Sequence, residues 1–274
     1  MLDWCCKLAS VTTRFGADVM QTLDFSGKTV VITGGLQGIG QAISELFLAA
    51  GANVVIGDIL CPPGAGPAGD RLKTLRTDVT CRAQAEDLIA YAITHFGTVD
   101  VLVNNSGISA MDRVETATEA DWDRVMDVNA KGVYLVSQAV IGPMKRQGGG
   151  RIINIASQAG KNGYRLMGHY VASKHAVLGL TKVLAIELAG DNILVNAVCP
   201  GIVETTMKWR EREEGARLRV LSAADILAED CSQIPLGRTA QPADVANVVL
   251  FLASPLASYM TGQAINVTGG MTMH

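Results

Sequence analysis

Three side chains in this sequence could converge on one carbonyl: the hydroxyl of Ser157, the phenol of Tyr170 and the ammonium of Lys174, all within Ser157-Gln-Ala-Gly-Lys-Asn-Gly-Tyr-Arg-Leu-Met-Gly-His-Tyr170-Val-Ala-Ser-Lys174. Tyr170 and Lys174 are four apart, so a helix puts them on one face, one turn from each other. An ammonium beside a phenol favours the phenolate and should draw the tyrosine towards the range of an acid/base catalyst. Such a pair alone could equally be a surface contact on a helix. What must be found is an element upstream that gives the pair something to act on.

Lys28-Thr-Val-Val-Ile-Thr33 is a short β-branched run that predicts a buried strand. Gly34-Gly-Leu-Gln37-Gly38-Ile39-Gly40 follows, and Ile39, Ile43, Leu46, Phe47 and Ala50 then recur at helical spacing. Strand, glycine turn and helix together aim free N–H groups and a positive dipole end at an anion. The glycines permit a tight turn and close approach of a pyrophosphate. A second apolar strand, Ala52-Asn-Val-Val-Ile-Gly57, ends in Asp58, where a carboxylate would accept from adenosine ribose hydroxyls. A 2′-phosphate would meet that charge, and Ile59, Leu60 and Gly35 supply no cation, so NAD is expected over NADP. The competing interpretation of Asp58 is a residue that merely caps the next turn.

The chain has 274 residues, a net charge of −3, a hydrophobic fraction of 49% and a charged fraction of 18%, below the typical quarter. The surplus of apolar residues hints at subunit interfaces. Without a basic cluster, nucleic acid is not expected as a partner, and no apolar stretch is long enough to span a membrane. Cys5, Cys6, Cys61, Cys81, Cys199 and Cys231 form no C-x-x-C pair and have no histidine at metal spacing. They are expected to be reduced thiols in a cytoplasmic protein without a metal.

Strand-like and helix-like segments alternate along the chain. Loop-forming 61–69 leads to a strand over 74–79, a helix over 82–96 and a strand over 99–103. One long helix is expected over 119–147, a strand over 151–155, then the helix of Tyr170 and Lys174 to Leu188. A strand over 193–198, a helix from Pro242 to Ala253 and a strand over 264–267 complete the series. Repeated βαβ units predict an α/β, doubly wound, mainly parallel seven-stranded sheet with helices on both faces, a Rossmann fold. No linker divides it: residues 25–274 are expected as one domain behind an extension, 1–24. In that extension Trp4, Leu8, Val11, Phe15 and Val19 recur at helical spacing without the form of a secretion signal.

Taken together, these residues resemble the short-chain dehydrogenases/reductases, over roughly Gly27 to Gly270. Thr33-Gly-Gly-Leu-Gln-Gly-Ile-Gly40 resembles the family's glycine turn, and Asp78-Val79 its adenine-contacting pair. Asn104-Asn105-Ser106-Gly107 is similar to its Asn-Asn-Ala-Gly, with serine in place of alanine. Asn129, Ser157 and Tyr170-x-x-x-Lys174 fall on its catalytic asparagine, serine and Tyr/Lys pair. Pro200-Gly-Ile-Val203-Glu-Thr205 resembles the segment beneath the nicotinamide carboxamide.

The resemblance implies that Tyr170 takes the proton of an alcohol while its hydride moves to NAD⁺, and the reverse in reduction. It implies that Lys174 lowers the tyrosine pKa and binds the nicotinamide ribose, that Ser157 holds the substrate oxygen, and that Asn129 positions a water beside Lys174. It also implies a homotetramer or homodimer, assembled through the 119–147 helix and the Tyr170 helix. The interval from Asp58 to Asp78 departs from the pattern, being short and rich in Pro and Gly, with its usual helix truncated or absent.

Residues 204–235, charged with interspersed apolar side chains, are the expected lid. Gln158, Lys161, Asn162, His169 and Glu204 would make a polar pocket, suited to a small polyol or sugar-like secondary alcohol and its ketone. The alternatives are a 3-oxoacyl or other carbonyl reductase, which should carry a cation near position 35 or 59, and a dinucleotide-binding regulator without catalysis. The latter kind of protein loses the tyrosine, the lysine or the glycine turn, and all three stand here.

Overall fold

The computed structural model describes residues 23–62 and 69–274. The N-terminal amphipathic segment and most of the Pro/Gly loop lie outside the described residues. Short β-branched runs make the strands because their side chains pack well on a pleated surface buried on both faces. Every residue of β1 (Thr29–Thr33) is buried, as are those of β4 (Val101–Asn104). With β2 (Asn53–Asp58), β3 (Leu72–Arg76), β5 (Gly150–Ile155), β6 (Ile193–Pro200) and β7 (Ala264–Val267) they form one parallel sheet in the order β3-β2-β1-β4-β5-β6-β7. The chain reverses its direction of winding between β1 and β4. In such sheets the crevice beyond the strand C-termini at this point is where ligands bind.

Helices cover both faces. On one side α1 (Gly38–Ala49) and α8 (Pro242–Ala253) pack Ile43, Phe47, Val245 and Val249 against Val30, Ile32 and Val54, with Phe25 meeting Phe47 edge-on at 5.0 Å. On the other, α2 (Arg82–Phe96), α4 (Gly132–Arg146) and α5 (Gly168–Leu188) pack Leu88, Val136, Val140 and Leu184 against Val31, Leu102, Ile152 and Val195. A buried polar chain crosses the middle of the second layer. Asn104 Nδ2 donates to Ser137 Oγ and Asn154 Oδ1, and Asn154 Nδ2 to Thr181 Oγ1, each at 2.9 Å.

Three expectations need correction. The single helix over 119–147 is two, α3 (Glu119–Met126) and α4, joined by a π-helical turn at Asp127–Lys131 in which Gly132 N–H donates to the carbonyl five residues back, Asp127. The third strand lies at 72–76 rather than 74–79, because its register is set by pairing Val54 with Leu72 and Asp58 with Arg76. Thr77, Asp78 and Val79 are thereby released into the loop at the crevice. In the third case, the fourth strand begins at Val101, not Val99. Where the interval between Asp58 and Asp78 is described it contains no helix, as its Pro/Gly composition predicts. Two further helices, α6 (Thr206–Arg219) and α7 (Ala223–Ser232), stand over the crevice where the lid was expected.

Candidate active site

The crevice is a cavity of about 510 Å³ running from the glycine turn to the N-terminal half of α5. At its near end α1 begins with Gln37 as N-cap, whose side chain caps nothing, and with no acidic residue in the first turn. The N–H groups there are available to an anion. Two glycines make the approach possible: Gly38 has φ +55°, and a Cβ on Gly40 would sit 2.1 Å from the Gly34 carbonyl oxygen. Gly34, Gln37, Gly38 and Ile39 line the cavity, whereas Gly40 does not. Its part is to seat the helix on the turn.

Asp58, 5% exposed at the end of β2, accepts from Leu36 N–H at 3.2 Å and Leu60 N–H at 2.9 Å. The turn and the loop after β2 thus fix the carboxylate at the cavity wall beside Ile59. Asp78 and Val79 line the same wall, with Asp78 Oδ1 held by the Thr80 N–H and hydroxyl. Sequence reasoning missed Arg76, which strand pairing places beside Asp58. Its guanidinium donates to the Ile59 carbonyl at 2.6 Å and, at 3.4 Å, to that of Cys61.

Asn105, Ser106 and Gly107 border the middle of the cavity. Thr33 Oγ1 accepts from the N–H groups of Asn105 and Ser106, and Asn105 Nδ2 donates to Thr33 O and Gly34 O. Asn105 therefore clamps β4 to the glycine turn, a structural duty in addition to its position on the cavity. Pro200, Val203 and Thr205 line the opposite side, and the Thr205 hydroxyl also caps α6 by accepting from Lys208 N–H.

Ser157, Gln158, Tyr170 and Lys174 come together at the far end. Ser157 Oγ accepts from Ala159 N–H at 3.0 Å and lines the cavity together with the Tyr170 phenol. Lys174 Nζ lies 5.6 Å from the Tyr170 ring centroid and donates to the Ile155 carbonyl at 2.9 Å. The expected acidification of the phenol does not appear in the protein by itself. Burial pushes the Tyr170 pKa up, the Glu211 carboxylate pushes it the same way, and the Ser157 hydroxyl only partly opposes them. Burial also lowers Lys174 to about 8. The ammonium is thus weakened by the same desolvation that hardens the phenol, and it is turned to a backbone carbonyl.

Asn129 is fully buried within the π turn and does not line the cavity. Its Oδ1 accepts from Ile108 N–H at 2.8 Å, and its Nδ2 donates to Ile108 O at 2.9 Å and Ser173 Oγ at 3.0 Å. Ser173 Oγ in turn donates to the Tyr170 carbonyl at 2.7 Å. The asparagine therefore braces the loop after β4 against the helix that carries Tyr170 and Lys174. π turns are often found at functional sites because they displace backbone groups from the helical ladder.

A family model described as Enoyl-(Acyl carrier protein) reductase matches residues 34–272. The chain belongs to the short-chain dehydrogenase/reductase family. It is 41% identical over 254 residues to a 3-oxoacyl-(acyl-carrier-protein) reductase FabG of Thermotoga maritima, covering 90% of this chain and 98% of that one. It is 40% identical over 247 residues to a 3-alpha-(or 20-beta)-hydroxysteroid dehydrogenase of Mycobacterium bovis, covering 89% of each. A crystal structure of a short-chain dehydrogenase/reductase titled glucose/ribitol dehydrogenase, from Brucella melitensis, aligns with a TM-score of 0.79 at 34% identity, covering 92% of this chain and 99% of that one. Members of this family are oxidoreductases that use nicotinamide dinucleotides.

In this short-chain dehydrogenase/reductase the expected polar pocket is largely redrawn. Gln158 does line the cavity, with Oε1 accepting from Thr272. Lys161 turns instead to the carbonyls of Ala264 and His274, and Asn162 to Thr272 Oγ1. His169 faces away from the cavity because helical geometry turns it off the Tyr170/Lys174 side. Glu204 is held by Arg212, whose guanidinium donates to both carboxylate oxygens at 2.8 and 2.6 Å. Met207, Lys208, Glu211, Asp230, Gln233 and Met271 occupy the pocket wall in their place. Met207 and Glu211 are four apart and Lys208 and Glu211 three apart, so helical periodicity alone would have put them on one face. Among the described residues no group of three or more His, Cys, Asp or Glu could hold a metal, and no helix is long and apolar enough to cross a membrane.

Proposed function

We propose that this protein interconverts a secondary alcohol and its ketone, with Tyr170 as acid/base, Ser157 holding the substrate oxygen, and NAD as cofactor. The observation that carries the reading is the continuity of one cavity. It has an uncapped helix N-terminus and a fixed carboxylate at one end, and Ser157, Tyr170 and Lys174 together at the other. The residues present fit a dinucleotide: the α1 N-terminus and Gly38 would take the pyrophosphate, Asp58 the adenosine ribose, and Lys174 the nicotinamide ribose. When bound, the nicotinamide would accept or deliver the hydride. Tyr170 would then release or receive the hydroxyl proton within hydrogen-bond reach of the substrate oxygen.

NAD is preferred in this reading because a 2′-phosphate would be brought against the Asp58 carboxylate, while the nearby Arg76 guanidinium is engaged by carbonyls. A compact, uncharged, hydroxylated substrate suits a wall that mixes Met167, Met207 and Met271 with Gln158 and Glu211. A second reading, reduction of a 3-oxoacyl thioester with NADPH, is favoured by the 41% identical relative. The proposal includes a cytoplasmic protein that pairs with further copies of itself. An absorbance assay at the NADH band across secondary alcohols, diols, cyclic ketones and 3-oxoacyl thioesters, with either dinucleotide, tests it. NADH-linked turnover of hydroxylated alcohols supports the first reading, NADPH-linked turnover of the thioester alone the second, and none at all removes both.

A further inference from the structure

Glu211 is the one carboxylate whose charge bears on the Tyr170 phenol, and neither the glycine turn nor the Ser/Tyr/Lys group needs it. It projects from the lid helix α6 into the cavity and is half-buried. Among the described residues it makes no ion pair, and Ser109, at 2.6 Å, is its one hydrogen-bond donor. Its neighbours on the lid are otherwise engaged: Asp230 Oδ2 takes both Lys208 Nζ and Arg212 Nε at 3.2 Å. Glu211 is therefore a carboxylate with acceptor capacity left open to whatever lies between it and Tyr170. A donor on the bound substrate would replace solvent at that oxygen, and a hydrogen bond to a charged acceptor is among the stronger kinds.

Building on the alcohol/ketone reading above, we propose that Glu211 is a specificity-determining residue that accepts a hydrogen bond from a hydroxyl next to the reacting carbon, selecting vicinal diols and their hydroxyketones and rejecting substrates with an anionic group there. The apolar flank of Ile108, Met167 and Met207 takes the carbon skeleton. A hydrogen bond to a charged group gives discrimination of about tenfold or more against an analogue lacking the donor.

Three rings of one shape provide the test: 1,2-cyclohexanediol, cyclohexanol and 2-hydroxycyclohexanecarboxylate. Wild-type protein should show kcat/KM for the diol at least about tenfold above the mono-alcohol, with the carboxylate poorest. In Glu211→Gln the diol-to-mono-alcohol ratio should fall to within about threefold and the carboxylate should gain on both, since the charge but not the shape is removed. Saturation-transfer NMR, with and without NADH, reads the binding of the same rings in the absence of turnover. Preferential diol binding that is lost in Glu211→Gln sustains the role of Glu211 even if no ring is oxidised, an outcome that would end the redox reading alone. Equal use and binding of diol and mono-alcohol by the wild type, or a ratio unmoved by Glu211→Gln, overturns the proposal. The wild-type ordering decides the matter if the variant does not fold.

Discussion

Tyr170 sits among groups that pull against each other. Desolvation and the Glu211 charge hold the proton on the phenol, while Ser157 favours its departure; burial lowers Lys174 to about 8. The phenol is thus held as a proton donor, the form that would deliver a proton to a ketone oxygen. At the opposite end of the cavity Asp58, proposed to meet the adenosine ribose, is fixed by two backbone N–H groups. Asp58→Asn keeps an acceptor and removes the charge. The ratio of kcat/KM for NAD over NADP should drop by about tenfold or more, corresponding to ~1.4 kcal/mol. Steady-state kinetics with both dinucleotides measures this, and an unchanged ratio would remove Asp58 as the source of selectivity.

At the scale of elements, the lid is fastened by Glu204, Arg212 and Asp230, which join the end of β6 to α6 and α7. Arg212 and the other donors to Glu204 lower its carboxyl from 4.5 to about 2. A carboxyl whose folded pKa is depressed adds stability that is present above its unfolded value and lost as pH falls through the folded one. Glu204→Gln should therefore melt below wild type at pH 7, with the gap closing as pH falls from 4.5 towards 2. Thermal unfolding followed by circular dichroism over that range checks the sign. Most elements were legible in the sequence because β-branched runs and 3.6-residue periodicity carry them: α2 and α8 agree at both ends. The π turn at Asn129 was not, since only one residue is added and the apolar period hardly changes. Glu204 was misplaced for a similar reason, because its partner lies eight residues on and on another element.

Over the whole molecule, the end of the cavity walled by the glycine turn, Asp58 and Asp78-Val79 was readable from local motifs, each of which includes its own turn chemistry. The wall formed by Met207, Glu211 and Met271 was not, because it is assembled from segments more than a hundred residues apart, such as Ser109 with Glu211 and Gln158 with Met271. The surface has a related feature: Trp122 on α3, Tyr134 on α4, and Val183 and Ile186 on α5 are all substantially exposed, Ile186 by 81%. These helices are the ones expected to face another copy. Ile186→Glu should reduce the assembled species, as read by sedimentation velocity at fixed concentration, and an unaltered distribution would place the interface elsewhere. The central claim is that the Tyr170 phenol performs the proton transfer at the end of a dinucleotide cleft. Its most direct test is Tyr170→Phe, with turnover and NADH affinity measured on the same preparation. The account predicts a loss of ~10²–10⁴-fold in kcat with NADH affinity within about threefold of wild type. Retention of most of the turnover would contradict it.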